Sequence, residues 1–194
     1  MKIVCIGDSL TFGYGVSKKD SWVEILKSEL NLDIINKGVN GDTTAGMLAR
    51  SYNDVIENTP DYVIIMGGLN DFMSNRNLNL VTSNLDELIS ESLKYNITPI
   101  IGIEPLLLPP IAKEKWSEDL DYKAINSTQL SYRNWIMIFC ALKNINYIDF
   151  QKCFEKNLKN KLPSELYIDG LHPTPLGHKL MAGCIKEVFK VMNI

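Results

Sequence analysis

Short apolar runs alternate with longer segments of helical periodicity along the whole chain, and no other sequence feature restricts the fold as much. Five runs have the length and β-branched content of buried strands: residues 2–6, 33–36, 62–66, 100–103 and 147–149. The intervening segments predict helices over about 22–30, 44–58, 81–95, 122–144 and 175–192. Strands buried on both faces and joined through helices form a parallel sheet. We therefore predict an α/β fold, a three-layer α/β/α sandwich with a five-stranded parallel sheet, in one domain over 1–194.

Small and polar residues follow the first three predicted strands directly. They lie in the segments 7–9, 38–43 and 67–71. The carboxyl ends of parallel strands meet at one edge of the sheet, where such folds bind their ligands. We therefore expect these three segments to lie together and to build the functional site.

Composition excludes several classes of function. The net charge is -3 and no segment is rich in lysine or arginine, so the sequence does not predict nucleic-acid binding. No apolar run approaches the ~20 residues that cross a bilayer, and the apolar start is too short for a secretory signal. We expect a cytoplasmic protein that acts on a small molecule; the sequence leaves a homo-oligomer open.

The four cysteines are scattered, without a CxxC or a Cys/His cluster. This pattern predicts reduced, mostly buried side chains and neither a disulfide framework nor a zinc site. The four positions are Cys5, Cys140, Cys153 and Cys184.

The chain has only two histidines, so the search for a general base is short. His172 follows Asp169 by three positions in an irregular segment, close enough for the carboxylate to reach the imidazole Nδ1. Pro173 favours an extended conformation at His172. The alternative is a histidine with only a structural or solvated role. His178 falls beside the core face of the last predicted helix and is interpreted as a surface or boundary residue.

Ser9 is the candidate nucleophile, because it follows Gly7 and Asp8 immediately after the first strand. The alternative is a serine that only caps the next turn. Asp8 is interpreted as structural, linking neighbouring loops through hydrogen bonds. The Gly-x-Ser-x-Gly elbow is absent around Ser9, which argues against the α/β-hydrolase superfamily.

Four ordered segments resemble the conserved blocks of the GDSL/SGNH hydrolase family. They are Gly-Asp-Ser-Leu at 7–10, Gly-Val-Asn-Gly-Asp-Thr-Thr at 38–44, Gly-Gly-Leu-Asn-Asp at 67–71 and Asp-Gly-Leu-His-Pro at 169–173. The resemblance covers nearly the whole chain and implies the flavodoxin-like SGNH-hydrolase fold.

The family resemblance also implies residue roles. Ser9, Asp169 and His172 would form the catalytic triad. The backbone N–H groups of Ser9 and Gly41 and the side-chain amide of Asn70 would donate to the oxyanion, with Gly38 as a competing glycine. No metal and no cofactor are expected.

Within the family, the motifs look most like the thioesterase I/lysophospholipase L1/arylesterase branch. We expect a serine esterase that cleaves carboxylic esters or thioesters of short to medium acyl chains through an acyl-enzyme. The alternatives are a carbohydrate O-acetyl esterase on the same triad and, more remotely, a flavodoxin-like nucleotide-binding module.

Apolar residues at the same sheet edge are the candidates for binding the substrate. The segment 104–120 is predicted to be irregular and either lines an acyl pocket or packs on the helix at 122–144 or on a second subunit. The residues predicted to contact the substrate are Phe72, Met73, Leu107, Leu108 and Trp116.

Overall fold

One parallel sheet of five strands organises the chain. The computed structural model describes all residues from 1 to 194. The strand order is β2-β1-β3-β4-β5, and every neighbouring pair is parallel. The strands are β1 (Lys2–Gly7), β2 (Asp33–Gly38), β3 (Tyr62–Met66), β4 (Thr98–Ile103) and β5 (Asn146–Asp149). The predicted α/β fold with a five-stranded parallel sheet is confirmed.

Ten α-helices connect and cover the strands. They are α1 (Ser9–Phe12), α2 (Trp22–Leu30), α3 (Thr44–Asp54), α4 (Leu69–Met73), α5 (Leu78–Lys94), α6 (Pro109–Lys115), α7 (Tyr122–Lys143), α8 (Phe150–Asn157), α9 (Pro163–Leu166) and α10 (Pro175–Met192). The five predicted helices are all present. The one predicted over 44–58 ends at Asp54 and is followed by a 3₁₀ turn at Ile56–Asn58. The other five helices are short, so their periodicity is too weak to detect in the sequence.

Each face of the sheet supports its own apolar core. Val4 and Ile6 point into one core, beneath α3, α5 and α7. Ile3 and Cys5 point into the other, beneath α2, α8 and α10. Successive side chains of a strand point to opposite faces, so one apolar strand contributes to both cores. This arrangement makes the sheet a rigid base for the loops at its carboxyl edge.

The register of the central strands brings the functional loops to one level. Gly7 at the end of β1 pairs with Gly38 of β2 and with Met66 of β3. A Cβ on Gly38 would lie 2.2 Å from the backbone nitrogen of Phe12, so only glycine permits α1 to approach β2 here. Gly38 therefore has a packing role at this edge.

Two predictions about buried groups are wrong. His178 is fully buried, because the first turn of α10 packs against the start of α2, where the Trp22 N–H donates to its Nδ1. Cys153 and Cys184 form a disulfide between α8 and α10, and the sequence signal failed because α8 is too short to be recognised. Cys5 and Cys140 are free and buried, as predicted.

No helix has both the length and the apolar character that a bilayer-crossing segment needs.

Candidate active site

Ser9, His172 and Asp169 form one hydrogen-bonded chain at the carboxyl edge of the sheet. The Ser9 Oγ lies 3.0 Å from the His172 Nε2, and the His172 Nδ1 lies 2.7 Å from the Asp169 Oδ2. Ser9 begins α1 directly after β1, whereas the other two residues precede α10. The tertiary structure thus brings together three residues from opposite ends of the chain.

A tight turn fixes Asp169 against His172. The Asp169 Oδ1 accepts hydrogen bonds from the backbone N–H groups of Leu171 at 3.0 Å and His172 at 2.8 Å. Gly170 has a φ of 83°, and a Cβ there would lie 2.6 Å from the backbone nitrogen of Ala112 in α6. Glycine is required at this position both by its φ and by the approach of α6.

Asp169 is poised to remain ionised. Burial raises its pKa, but hydrogen bonds from the side chain and backbone of His172 outweigh this effect and hold the pKa of Asp169 below its usual value. An ionised carboxylate selects the tautomer with a proton on Nδ1 and leaves Nε2 free to accept the proton of Ser9.

Two aromatic rings flank the His172 imidazole. The Tyr14 and Trp116 ring centroids lie 4.4 Å and 5.4 Å from the imidazole centroid. Both side chains stay partly exposed, at 43% and 48%, although His172 itself is buried. The rings therefore shield the imidazole and also offer apolar surface to solvent beside it. The sequence interpretation missed Tyr14, whose only signal was an aromatic residue close to Ser9.

Two backbone donors near Ser9 have no acceptor within the protein. The N–H groups of Ser9 and Gly41 take part in none of the hydrogen bonds of the structure. Gly41 has a φ of 74°, and the space where a Cβ would stand is empty to 4 Å. Backbone N–H groups that have no acceptor in the protein can donate to a ligand oxygen.

Asn70 uses both of its amide hydrogens within the protein. Its Nδ2 donates to the Asp8 Oδ2 at 3.0 Å and to the backbone oxygen of Asp42 at 2.9 Å. The amide therefore links the loops after β1, β2 and β3. A ligand must displace the Asp42 oxygen before it can accept a hydrogen bond from Asn70.

Arg50 of α3 secures the loop that carries Gly41. Its guanidinium donates to the Gly7 oxygen at 2.9 Å, to the Lys37 oxygen at 2.8 Å and to the Asp42 Oδ2 at 2.7 Å. These bonds tie the ends of β1 and β2 to the loop. Nothing in the sequence singled out Arg50, because its partners are distant along the chain.

Two buried carboxyl groups meet beneath Ser9. The Asp8 Oδ1 accepts from the Leu10 N–H at 2.9 Å and caps α1. Glu104, directly after β4, accepts from the Leu69 N–H at 2.9 Å and contacts the Asp8 carboxyl. Burial, reinforced by the charge of Asp8, raises the pKa of Glu104 well above its usual value. Its only sequence signal was a charged residue at the end of a buried strand.

The comparisons with known proteins identify the family. The sequence model of the GDSL-like Lipase/Acylhydrolase family matches residues 5–180. The chain belongs to this family. An acetylxylan esterase from Geobacillus stearothermophilus is 29% identical to this GDSL hydrolase over 93% of the chain and 90% of its own length. An arylesterase from Vibrio mimicus is 28% identical over 90% of the chain and 80% of its own length.

A solved structure has the same fold along the whole chain. A member of the lipolytic protein G-D-S-L family from Veillonella parvula DSM 2008 superposes with a TM-score of 0.82 and 28% identity, covering 98% of both chains. The resemblance inferred from the four sequence blocks is confirmed, and this GDSL hydrolase is a carboxylic ester hydrolase.

Four of the five residues predicted to bind substrate lie in packed surroundings in this GDSL hydrolase. Phe72 and Leu107 are core residues, exposed by only 5% and 2%. Met73 and Leu108 are partly buried and pack against the two cores. Phe72 and Met73 belong to α4, and Leu107 and Leu108 directly precede α6. The sequence predicted neither helix and treated 104–120 as irregular, so it did not predict this packing. Trp116 alone is exposed beside His172.

Three cavities of the GDSL hydrolase lie away from Ser9, Asp169 and His172. A cavity of about 700 Å³ between α8 and α10 includes the disulfide, and one of about 590 Å³ lies beside α2 and β2. Phe72 and Met73 border another of about 230 Å³. None of these cavities is lined by Ser9, Asp169 or His172. Ser9, Asp169 and His172 therefore lie apart from these three cavities.

Proposed function

We propose that this protein hydrolyses small carboxylic esters through an acyl-enzyme formed on Ser9. The observation that carries the proposal is the chain from the Ser9 Oγ through His172 to Asp169, with distances of 3.0 Å and 2.7 Å. A serine hydroxyl becomes a nucleophile when an adjacent base can take its proton and a third group orients that base.

In the first half-reaction, the Ser9 Oγ attacks the ester carbonyl carbon while the His172 Nε2 takes the hydroxyl proton. The free N–H groups of Ser9 and Gly41 would stabilise the oxyanion, joined by Asn70 once it releases the Asp42 oxygen. The carbon–oxygen bond to the alcohol then breaks, and His172 returns the proton to the departing oxygen.

In the second half-reaction, water attacks the acyl carbon and His172 accepts its proton. Collapse of this intermediate breaks the bond to Ser9, which regains a proton from His172, and the carboxylic acid leaves. Asp169 keeps the imidazole in place throughout and stabilises its protonated form.

The surroundings of the triad favour a short acyl group. Phe72 and Leu107, which would have lined an acyl pocket, are buried in the core, and the three cavities described above are not lined by Ser9. Tyr14 and Trp116 lie beside His172, which protonates the leaving alcohol. A ring in the alcohol portion of the substrate would pack against these two side chains.

A carbohydrate O-acetyl esterase is the second candidate, and it meets the same requirements. Exposed aromatic rings suit the flat apolar face of a sugar, and an acetyl group needs no acyl pocket. The similarity to an acetylxylan esterase supports this candidate. The nucleotide-binding alternative is not retained, because the buried Asp8 carboxyl lies where a phosphate would have to approach the end of β1.

Rates on p-nitrophenyl acetate, butyrate, hexanoate and octanoate test both the mechanism and the acyl length. We expect the rate to fall as the chain lengthens and Ser9→Ala to lower kcat by about 10⁴-fold or more. The exposed Ser28→Ala variant on α2 is the matched control and should retain wild-type rates. Undiminished hydrolysis by Ser9→Ala would refute the acyl-enzyme proposal.

Acetylated xylo-oligosaccharides distinguish the two candidates. A kcat/KM well above that for p-nitrophenyl acetate, lowered in Trp116→Ala, would favour the carbohydrate esterase. Rates no higher than for simple aryl acetates would favour the general esterase.

A further inference from the structure

The buried carboxyl groups of Asp8 and Glu104 have no cation to balance them. The two residues are only 1% and 6% exposed. The ion pairs of the structure involve other carboxylates, and no lysine or arginine pairs with either group. Two ionised carboxylates in contact would both lose hydration and repel each other. The pair therefore needs a proton.

One oxygen of Glu104 reveals where that proton belongs. The Oε2 accepts from the Leu69 N–H, but the Oε1 is buried and receives no hydrogen bond from any N–H or O–H group. The Asp8 carboxyl lies beside it, because Asn70 donates to the Asp8 Oδ2 and the adjacent Leu69 donates to the Glu104 Oε2. If Glu104 is protonated, it donates to Asp8, and no polar atom of the pair is left without a partner.

Asp8 is the better site for the negative charge. It accepts two hydrogen bonds, from the Leu10 N–H and from the Asn70 amide, whereas Glu104 accepts one. Hydrogen bonds to the charged form favour ionisation, so the carboxyl group with more donors keeps the charge.

We propose that Asp8 and Glu104 share one proton, carried by Glu104, and that Glu104 thereby acts as a positioning residue for Asn70. Glu104 donates to Asp8, and Asp8 in turn fixes one amide hydrogen of Asn70. The other amide hydrogen remains directed at the Asp42 oxygen, which the substrate oxyanion would replace. This positioning role rests on the ester hydrolysis proposed above, whereas the shared proton does not.

The charges around the pair agree with a single negative charge. Asp42 opposes the ionisation of Asp8, and Asp71 opposes that of Glu104. From α7, the buried Tyr132 is a neutral neighbour of Glu104. The Arg50 guanidinium bonds to the Gly7 oxygen beside Asp8 but pairs with Asp42 and Asp54. A positive charge on His172 favours the Asp8 carboxylate. One charge on Asp8 would therefore also favour the imidazolium that forms during catalysis.

Unfolding equilibria of Glu104→Gln test the shared proton without any substrate. The folded wild type holds the Glu104 proton, and its unfolded chain loses it above about pH 4. Rising pH therefore destabilises the wild type relative to Glu104→Gln, by a factor approaching ten in the unfolding equilibrium constant per pH unit. Burial raises the pKa of Asp8 to about 6, so urea unfolding at pH 7, 7.5 and 8 measures this ratio where Asp8 stays ionised.

Glu87→Gln removes an exposed carboxylate on α5 and is the matched control, with a ratio to wild type that stays constant over the same range. A constant ratio for Glu104→Gln as well would overturn the shared proton.

Kinetics of two Glu104 variants test the positioning role. Glutamine can still donate to Asp8 and accept from Leu69, so Glu104→Gln should keep kcat within about twofold of the wild type. Leucine cannot donate, so Glu104→Leu should lose about tenfold or more in kcat with little change in KM. Circular dichroism verifies that both variants are folded. Equal losses in both variants, or no loss in Glu104→Leu, would overturn the role.

Ser9→Ala in the same assay keeps the two proposals separate. If Ser9→Ala is inactive and Glu104→Leu is fully active, the positioning role fails and the ester-hydrolase function stands. If Ser9→Ala remains active, the proposed function fails, and the unfolding measurement still decides the shared proton.

Discussion

His172 and His178 lie on either side of the point where α10 begins, and both imidazoles are buried. His172 contacts a carboxylate through one nitrogen and a serine hydroxyl through the other. His178 accepts a long hydrogen bond of 3.4 Å from the Trp22 N–H, and its Nε2 has no partner. Burial, with a smaller contribution from His172, lowers the pKa of His178 to about 4. Burial alone leaves His178 as a neutral ring. His172 is placed to act as a base because both of its ring nitrogens have polar partners.

The backbone explains why the two sites differ. His172 belongs to a turn whose N–H groups and imidazole both face Asp169. His178 belongs to the first helical turn after the Thr174 cap, where its own N–H bonds to the Thr174 oxygen. The positive end of the helix dipole lies there and disfavours a protonated His178. A turn could place a carboxylate against the ring, whereas the helix placed the ring in the core.

Replacing each histidine in turn should produce the largest difference in rate. His172→Ala should lower kcat by about 10⁴–10⁶-fold, because no other group can take the proton of Ser9. His178→Gln should keep kcat within about threefold of the wild type, because the ring contacts no reacting atom. Steady-state rates on p-nitrophenyl acetate measure both. Comparable losses would show that the two imidazoles act together in catalysis.

Removing the carboxylate of the turn should have the next largest effect. Asp169→Asn should lower kcat by roughly 10³–10⁴-fold, because the amide favours the wrong tautomer of His172 and cannot stabilise the imidazolium. The same substitution at the partly exposed Asp86 of α5 is the control. A small effect of Asp169→Asn would show that another acceptor orients the His172 imidazole.

The smallest expected effect is on stability in acid. His178 stays neutral in the folded protein down to about pH 4, whereas in the unfolded chain it takes up a proton below about pH 6.5. Because the unfolded state then binds more protons, stability falls as the pH drops from about 6.5 to about 4, by ~3 kcal/mol.

Urea unfolding of wild type and His178→Gln at several pH values checks this expectation, since the variant lacks that loss. If both proteins lose stability in parallel, the acid sensitivity lies in other groups.

Local patterns were enough to predict the architecture and the principal residues of the site. In strands and in helices of several turns, the spacing of apolar residues indicates which face is buried. The sheet and the long helices could therefore be predicted from the sequence alone. Ser9 lies immediately after a strand, and the spacing from Asp169 to His172 spans one turn, so both candidates could be recognised without knowledge of distant contacts.

Contacts between distant segments decided the rest. The interior position of His178, the meeting of Asp8 with Glu104 and the core packing of Phe72 all depend on which element lies opposite, and that partner is far away in the sequence. Short helices such as α4 and α8 form because tertiary packing stabilises them, as their few turns carry little propensity. The sequence by itself therefore determined the sheet and identified the residues of the candidate triad. Only the tertiary structure decided which side chains surround the triad, because the direction of a side chain is set by packing between elements.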